Sequence, residues 1–329
     1  MTNLQLPAWA GWAMITGLVL FILLVALSVR RNHGMKRSLF ATPYTLWMII
    51  FTLLPCILIA YYALTDINGH FTLDNFRSFW DSNHIMRENL RNVAGDDVAA
   101  SVARGSVNVD TLVYSLWMAF LCTFISLLLG YPAALFMADK RIKLGATLVV
   151  LFIIPMWMNF LLRTIAWMSL LEDNGLINAF LVRIGVGRVQ LMYNQRAVLL
   201  GMVYNFLPFM VFPIYTSLSK LDPKLGEAAQ DLGCNEMRTL IKVTMPLSLP
   251  GVISGITMVF MPSVTTFFIP RVLGGGNTQM FGDLIETTFK TAGNWNLGSA
   301  LSLIMMILIL ISLSILRKAD PNGEGGGIV

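Results

Sequence analysis

Few of the 329 residues carry groups able to do covalent chemistry. His33 falls in a basic stretch, and His70 and His84 in a polar one, all outside the apolar runs. The cysteines Cys56, Cys122 and Cys234 form no Cys-x-x-Cys or Cys/His spacing. Neither a disulfide framework nor a metal site is implied. No Gly-x-Ser-x-Gly, His-Glu-x-x-His or phosphate-cradling Gly-x-x-x-x-Gly-Lys occurs. Without a phosphate loop the chain cannot hydrolyse ATP unaided. Gly274-Gly275-Gly276 has no strand before it and reads as a flexible turn.

What remains is the chemistry of binding. Glu172 and Asp173 follow one apolar run, and Asp283 and Glu286 precede the last. Trp157, Trp167 and Trp295 lie near the same run ends. Carboxylates and ring faces suit an ammonium group, each ring being worth ~0.5–2 kcal/mol. The same acids could equally be solvated loop residues, and the tryptophans anchors at a membrane interface. Arg163 and Arg271 sit beside them and are awkward for a cation path. They either pair with those acids or suit an anionic cargo.

The elements that position these groups are apolar spans. Apolar residues make up 56% of the chain and charged residues 12%, with a mean hydropathy of +0.69. A soluble surface needs about twice that share of charge. The apolar residues also run for about 20 at a time, enough to cross a ~30 Å hydrocarbon core. The chain is therefore predicted to be an all-α, polytopic integral membrane protein. Seven spans are predicted: 9–29, 39–63 with Pro55 kinking or opening it, 110–138, 146–170, 195–219, 247–271 and 297–316. The first is followed, not preceded, by Arg30, Arg31, Lys36 and Arg37, which makes 1–37 an anchor helix with a basic loop rather than a cleaved signal. Trp9, Trp12, Trp47 and Trp117 suit interfacial anchoring.

Segments 30–37, 139–145, 219–246 and 317–329 hold thirteen of the 23 Lys and Arg against seven acids. This excess puts them in the cytoplasm. The N-terminus is then outside, the C-terminus inside, 64–109 an extracytoplasmic loop and 319–329 a frayed cytoplasmic tail. The net charge of +5 serves topology rather than nucleic acid, which is not expected as a partner.

The loop 220–246 carries the strongest local signal. Asp222 suits an N-cap, Pro223 the first helical position, and Gly233 a left-handed close. Leu225, Ala228, Ala229 and Leu232 fall at i, i+3, i+4 and i+7, an apolar stripe. A second short turn from Asn235 brings Met237, Leu240 and Ile241 before Pro246. Such a helix either packs on its own bundle or docks a cytosolic partner.

Glu227-Ala228-Ala229, Gly233, Val243 and Met245-Pro246 resemble, at matching spacing, the cytoplasmic signature of bacterial ABC importer permeases: Glu-Ala-Ala, three residues, Gly, nine residues, Ile, one residue, Leu-Pro. Val243 stands for Ile and Met245 for Leu, both still apolar. Asn159 with Arg163-Thr164-Ile165-Ala166-Trp167, then Asn174-Gly175-Leu176-Ile177-Asn178, resemble permeases of spermidine/putrescine importers. So do Thr72-Leu73-Asp74-Asn75-Phe76, Gly130-Tyr131-Pro132, Leu273 with the glycines after it, Asn294-Trp295 and Gly298-Ser299-Ala300.

The resemblance covers about 40–318 and is closest to the first of the two permease subunits. The span 9–29 and an inserted stretch near 92–109 lie outside it. It implies a six-helix permease domain over 38–318 and a coupling helix (Leu225, Glu227, Ala228, Ala229, Leu232, Gly233, with Pro246) seated in a groove of an ABC ATPase. That ATPase is a cytoplasmic dimer and binds the ATP and Mg; this chain binds no cofactor. A second permease and an extracytoplasmic solute-binding protein complete the machine, and alternating access moves a polyamine inward. Asn159 joins Trp157, Trp167, Glu172, Asp173, Asp283, Glu286 and Trp295 as residues of the solute path. Related permeases carry ferric ion, sulfate, thiosulfate or phosphonates, and a non-transporting scaffold is the alternative from another class.

Overall fold

The computed structural model describes residues 47–83, 105–139 and 145–319. The span predicted at 9–29, the basic loop after it, most of the stretch 92–109 and the C-terminal tail lie outside the described residues. The chain divides into two compact units, residues 1–61 and 62–329.

A π-wound turn, Ile49–Leu53, leads into helix α1, Leu54–Ala63. The wider turn has a cause in the sequence. Pro55 has no N–H to give to the preceding turn, and the Leu54 N–H reaches back five residues to the Ile49 carbonyl instead. Pro55 thus opens the helix as expected.

The second unit is built on three long helices: α2 Val107–Ala138, α3 Gln195–Ser219 and α4 Met245–Thr265. α3 matches the predicted span 195–219 end to end and is the most deeply buried of the long apolar helices. Met202, Met210, Ile214, Val198 and Val259 are essentially without exposure at this centre. Close approach of α3 and α4 rests on Gly251 and Gly255, four residues apart on one face. A Cβ at 251 would lie 2.7 Å from the Pro213 carbonyl oxygen and 2.5 Å from Ser217 Cβ. A Cβ at 255 would lie 2.7 Å from Met210 Sδ and 3.0 Å from its carbonyl oxygen. Backbone meets backbone here.

A second cluster joins helix α5, Asp74–Trp80, to α2, α4, α6 Phe281–Lys290 and α7 Trp295–Ala319 through Phe79, Leu112, Val264, Phe281 and Leu301. Buried and half-buried amides tie loop to helix at this end. Asn75 donates to the carbonyls of Ala63 and Thr65 at 3.1 and 3.0 Å, and Asn296 to those of Tyr62 and Thr65 at 3.2 and 2.6 Å. The Ser115 hydroxyl accepts from the Phe281 N–H at 2.7 Å and so anchors α6 on α2.

Two predicted spans take a different form. The segment 146–170 is not one straight crossing. Helix α8, Gly145–Ile153, passes into a 3-10 turn, Ile154–Trp157, and the chain opens at Met158 before helix α9, Phe160–Leu171. With helix α10, Leu176–Arg183, the two halves are bent by 93°. Pro155 at the head of the tight turn and Asn159, which accepts from the Leu161 N–H at 2.8 Å, start a new helix where apolarity alone suggested continuation.

The segment 247–271 begins earlier and stops sooner. Helical structure runs unbroken from Glu236 to Thr265, breaks at Thr266, and resumes as helix α11, Phe268–Gly274. Its early part contains a second π-wound turn, Leu240–Thr244, again just ahead of a proline, Pro246. In all, four described helices are long and apolar enough to cross a membrane, or five with the bent pair as one span, and Ile49–Ala63 is a shorter apolar helix.

Replacing Gly251 with Val should separate α3 from α4 because a carbonyl oxygen cannot rotate away as a side chain can. Overpacking of this kind costs about 1–3 kcal/mol. The expected result is a melting midpoint lower by several degrees in detergent, read by tryptophan fluorescence; an unchanged midpoint would refute the close contact.

Candidate functional site

The loop between α3 and α4 folds as two capped helical pieces. Helix α12 spans Pro223–Asp231, with Asp222 accepting from the Lys224 N–H at 3.0 Å and Pro223 where no N–H is needed. At its far end Gly233 takes φ 89°, and two hydrogen bonds close the helix: Cys234 N–H to the Ala229 carbonyl, 3.0 Å, and Gly233 N–H to the Gln230 carbonyl, 2.8 Å. This paired closure needs a left-handed residue at 233, which glycine supplies at least cost. Helix α13, Glu236–Thr239, follows, with Asn235 accepting from the Arg238 N–H at 2.9 Å.

The stripe predicted from spacing does not pack inward. Ala229 alone of the four is buried. Leu232 is 87% exposed and Leu225 46%, and Glu227 and Ala228 are exposed with them. Met237 and Ile241 of the next turn extend the apolar surface, also exposed, and Pro246 is exposed in the first turn of α4. A rigid, doubly capped helix therefore offers leucines and a carboxylate outward.

The residues expected along a solute path fall into separate settings. Trp157, 86% exposed, and Asn159 flank the break before α9. Trp167 packs edge-on against Tyr204 with ring centroids 5.1 Å apart, and Trp295 edge-on against Phe289 at 5.4 Å. Glu172 and Asp173 are exposed in the turn between α9 and α10, where the Glu172 carbonyl accepts from the Gly175 N–H.

Asp283 and Glu286 are brought together on α6, and Arg271 of α11 bridges them. Its Nη1 donates to Glu286 Oε2 at 2.7 Å and its Nε lies 3.6 Å from Asp283 Oδ1. Lys290, which sequence reasoning did not single out, donates to Glu286 Oε1 at 2.7 Å. That hydrogen bond is the main reason the Glu286 carboxyl is held below its usual value. Burial pushes the Asp283 carboxyl above its usual value, although Arg271 pulls against it. Glu286 is thus a paired anion. Asp283 is the buried member, and its Oδ1 has no hydrogen-bond partner.

Two further polar groups are buried: Arg163, which the sequence placed beside the acids, and Asn205, which sequence reading passed over. Arg163, 7% exposed, leaves Nε and Nη1 without hydrogen-bond partners, and Asn205 in α3 leaves its Oδ1 without one. Their signal was an ionisable or amide residue inside an apolar run.

Known proteins resemble this chain in sequence and in fold. The family described as the binding-protein-dependent transport system inner membrane component matches residues 99–321. The spermidine/putrescine transport system permease protein PotB of Salmonella typhimurium (strain SL1344) is 32% identical over 282 residues, 83% of this chain and 90% of that protein. PotB of Escherichia coli (strain K12) is 32% identical over 282 residues, 83% of this chain and 94% of its own length. A chain from the crystal structure of a bacterial ABC transporter involved in import of the acidic polysaccharide alginate is alike in fold, with a TM-score of 0.66 and 15% identity. The match covers 87% of this chain and 97% of that one. The chain belongs to the binding-protein-dependent transport system inner membrane components, as a multi-pass permease subunit and not an enzyme.

Proposed function

We propose that this permease subunit imports polyamines, spermidine or putrescine, and that α12 is the element through which a separate ATPase drives it. One observation carries the mechanical half of this reading: a helix fixed by caps at both ends buries Ala229 but leaves Leu225 and Leu232 of its apolar stripe exposed. Burying Leu225 and Leu232 needs another surface, and an apolar patch beside exposed Glu227 suits a groove on a protein. The cargo half is supported by the two PotB relatives.

In this reading the ATPase is a cytoplasmic dimer that holds the ATP and Mg, and a second permease chain and an extracytoplasmic binding protein complete the importer. Seven spans, with 9–29 as an added anchor, put the N-terminus outside and the C-terminus in the cytoplasm. The permease domain is 38–318. Rocking transmitted through α12 and Pro246 exposes the path to each side in turn. On that path Trp157, Asn159, Trp167, Glu172, Asp173, Asp283, Glu286 and Trp295 meet the cargo. Arg271 must yield Asp283 or Glu286 as an ammonium arrives, exchanging one ion pair for another.

Two measurements test the reading. Leu232→Asp is a surface change and should leave insertion intact while weakening ATPase co-purification about ten-fold, near 1.4 kcal/mol. Undiminished co-purification would remove α12 from the interface. Cells lacking their own polyamine importers, given the complete system, should take up labelled spermidine or putrescine, with competition by the unlabelled compounds. Competition by sulfate or ferric ion instead would reassign the cargo.

A further inference from the structure

Tyr131 of α2 reaches across to the entry of α4, where its hydroxyl lies 3.0 Å from Ser248 Oγ. The direction of this bond follows from the next one. Ser248 has a single hydroxyl hydrogen and gives it to the Met245 carbonyl at 3.0 Å. Tyr131 is therefore the donor and Ser248 the acceptor. The partners are 117 residues apart in the chain, with Ser248 fully buried and Tyr131 half-buried.

Both ends of the bond sit where a helix is weak. Pro132 follows Tyr131 directly and denies the Leu128 carbonyl its usual donor. Pro246 and Pro250 stand on either side of Ser248, and the π-wound turn Leu240–Thr244 comes just before them. Helices bend at prolines and at π turns, so a point of bending on α2 is tied to one on α4.

The space below the tie makes it matter. α12 and the last turns of α2 both line a cavity of about 720 Å³, with Leu225 and Glu227 from one and Leu135 and Phe136 from the other. Open space, not packed side chains, separates them there. Motion of the coupling loop has instead a continuous route along the chain, through Pro246 to Ser248 and over the hydroxyl bond to Tyr131.

We infer that the Tyr131 hydroxyl is a positioning group for transport: through Ser248 it makes the cytoplasmic end of α2 follow the coupling loop, which keeps ATP hydrolysis in step with cargo movement. The inference rests on the proposed role of α12, and the polyamine enters only as a probe. One bond suffices for this, because it need only favour one arrangement of two bendable helices over the others.

Tyr131→Phe removes the donor and Ser248→Ala the acceptor. The complete transporter, with both permeases, the ATPase dimer and spermidine-loaded binding protein, is reconstituted in liposomes. ATP hydrolysed is then counted against labelled spermidine imported. Each variant should raise ATP per spermidine about three- to ten-fold, the weight of one hydrogen bond, with ATPase co-purification unchanged. The double variant should be no worse than either single one, because the second change has no bond left to break. Ser248→Ala answers the same question if Tyr131→Phe fails to assemble. An unchanged ratio in the assembled variants would overturn the proposal, as would effects that multiply in the double variant. Hydrogen exchange gives a readout that needs no cargo. ATP should alter exchange at 223–239 and at 133–138 in the unaltered complex, and either variant should confine the change to 223–239. A change that persists in full at 133–138 would overturn the tie and leave α12 as the ATPase-facing element. No change at 223–239 in the unaltered complex would refute that role of α12 and the tie with it.

Discussion

In hydrocarbon every backbone N–H and C=O must find its partner inside the protein, and prolines decide where this chain struggles to comply. Each proline in a helix removes one donor. Before Pro55 and Pro246 the chain answers by widening a turn to five-residue spacing, with the Leu54 and Met245 N–H groups reaching back to Ile49 and Leu240. At Pro155 it answers by tightening to a 3-10 turn and then abandoning the helix, so that Asn159 must cap a new one. The bend and the entry into α4 follow from how these lost bonds are made good.

Much of this was legible from residues alone. Composition and run length gave the membrane class, and α3 agrees with the expected span to the residue because its apolar run is bounded by Asn194 and the polar 220–222. The caps of α12 were readable for a similar reason: Asp222, Pro223 and Gly233 each act within a few residues of themselves, so no tertiary knowledge is needed. What the sequence concealed was direction. An i, i+3, i+4, i+7 stripe says that one face is apolar, not which way that face turns, and Leu232 turns outward.

The bend at 158–159 was hidden because apolarity continues through it; only Pro155 and Asn159 hinted at a break. Pairing was legible only as one of two alternatives for Arg163 and Arg271, and which acid each would meet was not. Arg271 and Glu286 are fifteen residues apart and meet only because α11 and α6 fold against each other. Lys290 sits one turn beyond Glu286 and is an ordinary i, i+4 partner. The contrast between Glu286, held by two cations, and Asp283, buried with an orphan oxygen, belongs wholly to the fold.

The backbone contact at Gly251 and Gly255 has a mechanical meaning. α3 and α4 are the two arms on which the loop 220–246 is strung, and they are pinned together within a turn or two of where that loop leaves them: Gly251 faces Pro213 and Ser217, and α3 ends at Ser219. This contact resists any force on α12 that would spread the arms like a hinge. A force applied there would instead tend to turn the two arms together, through the contact at Gly251 and Gly255.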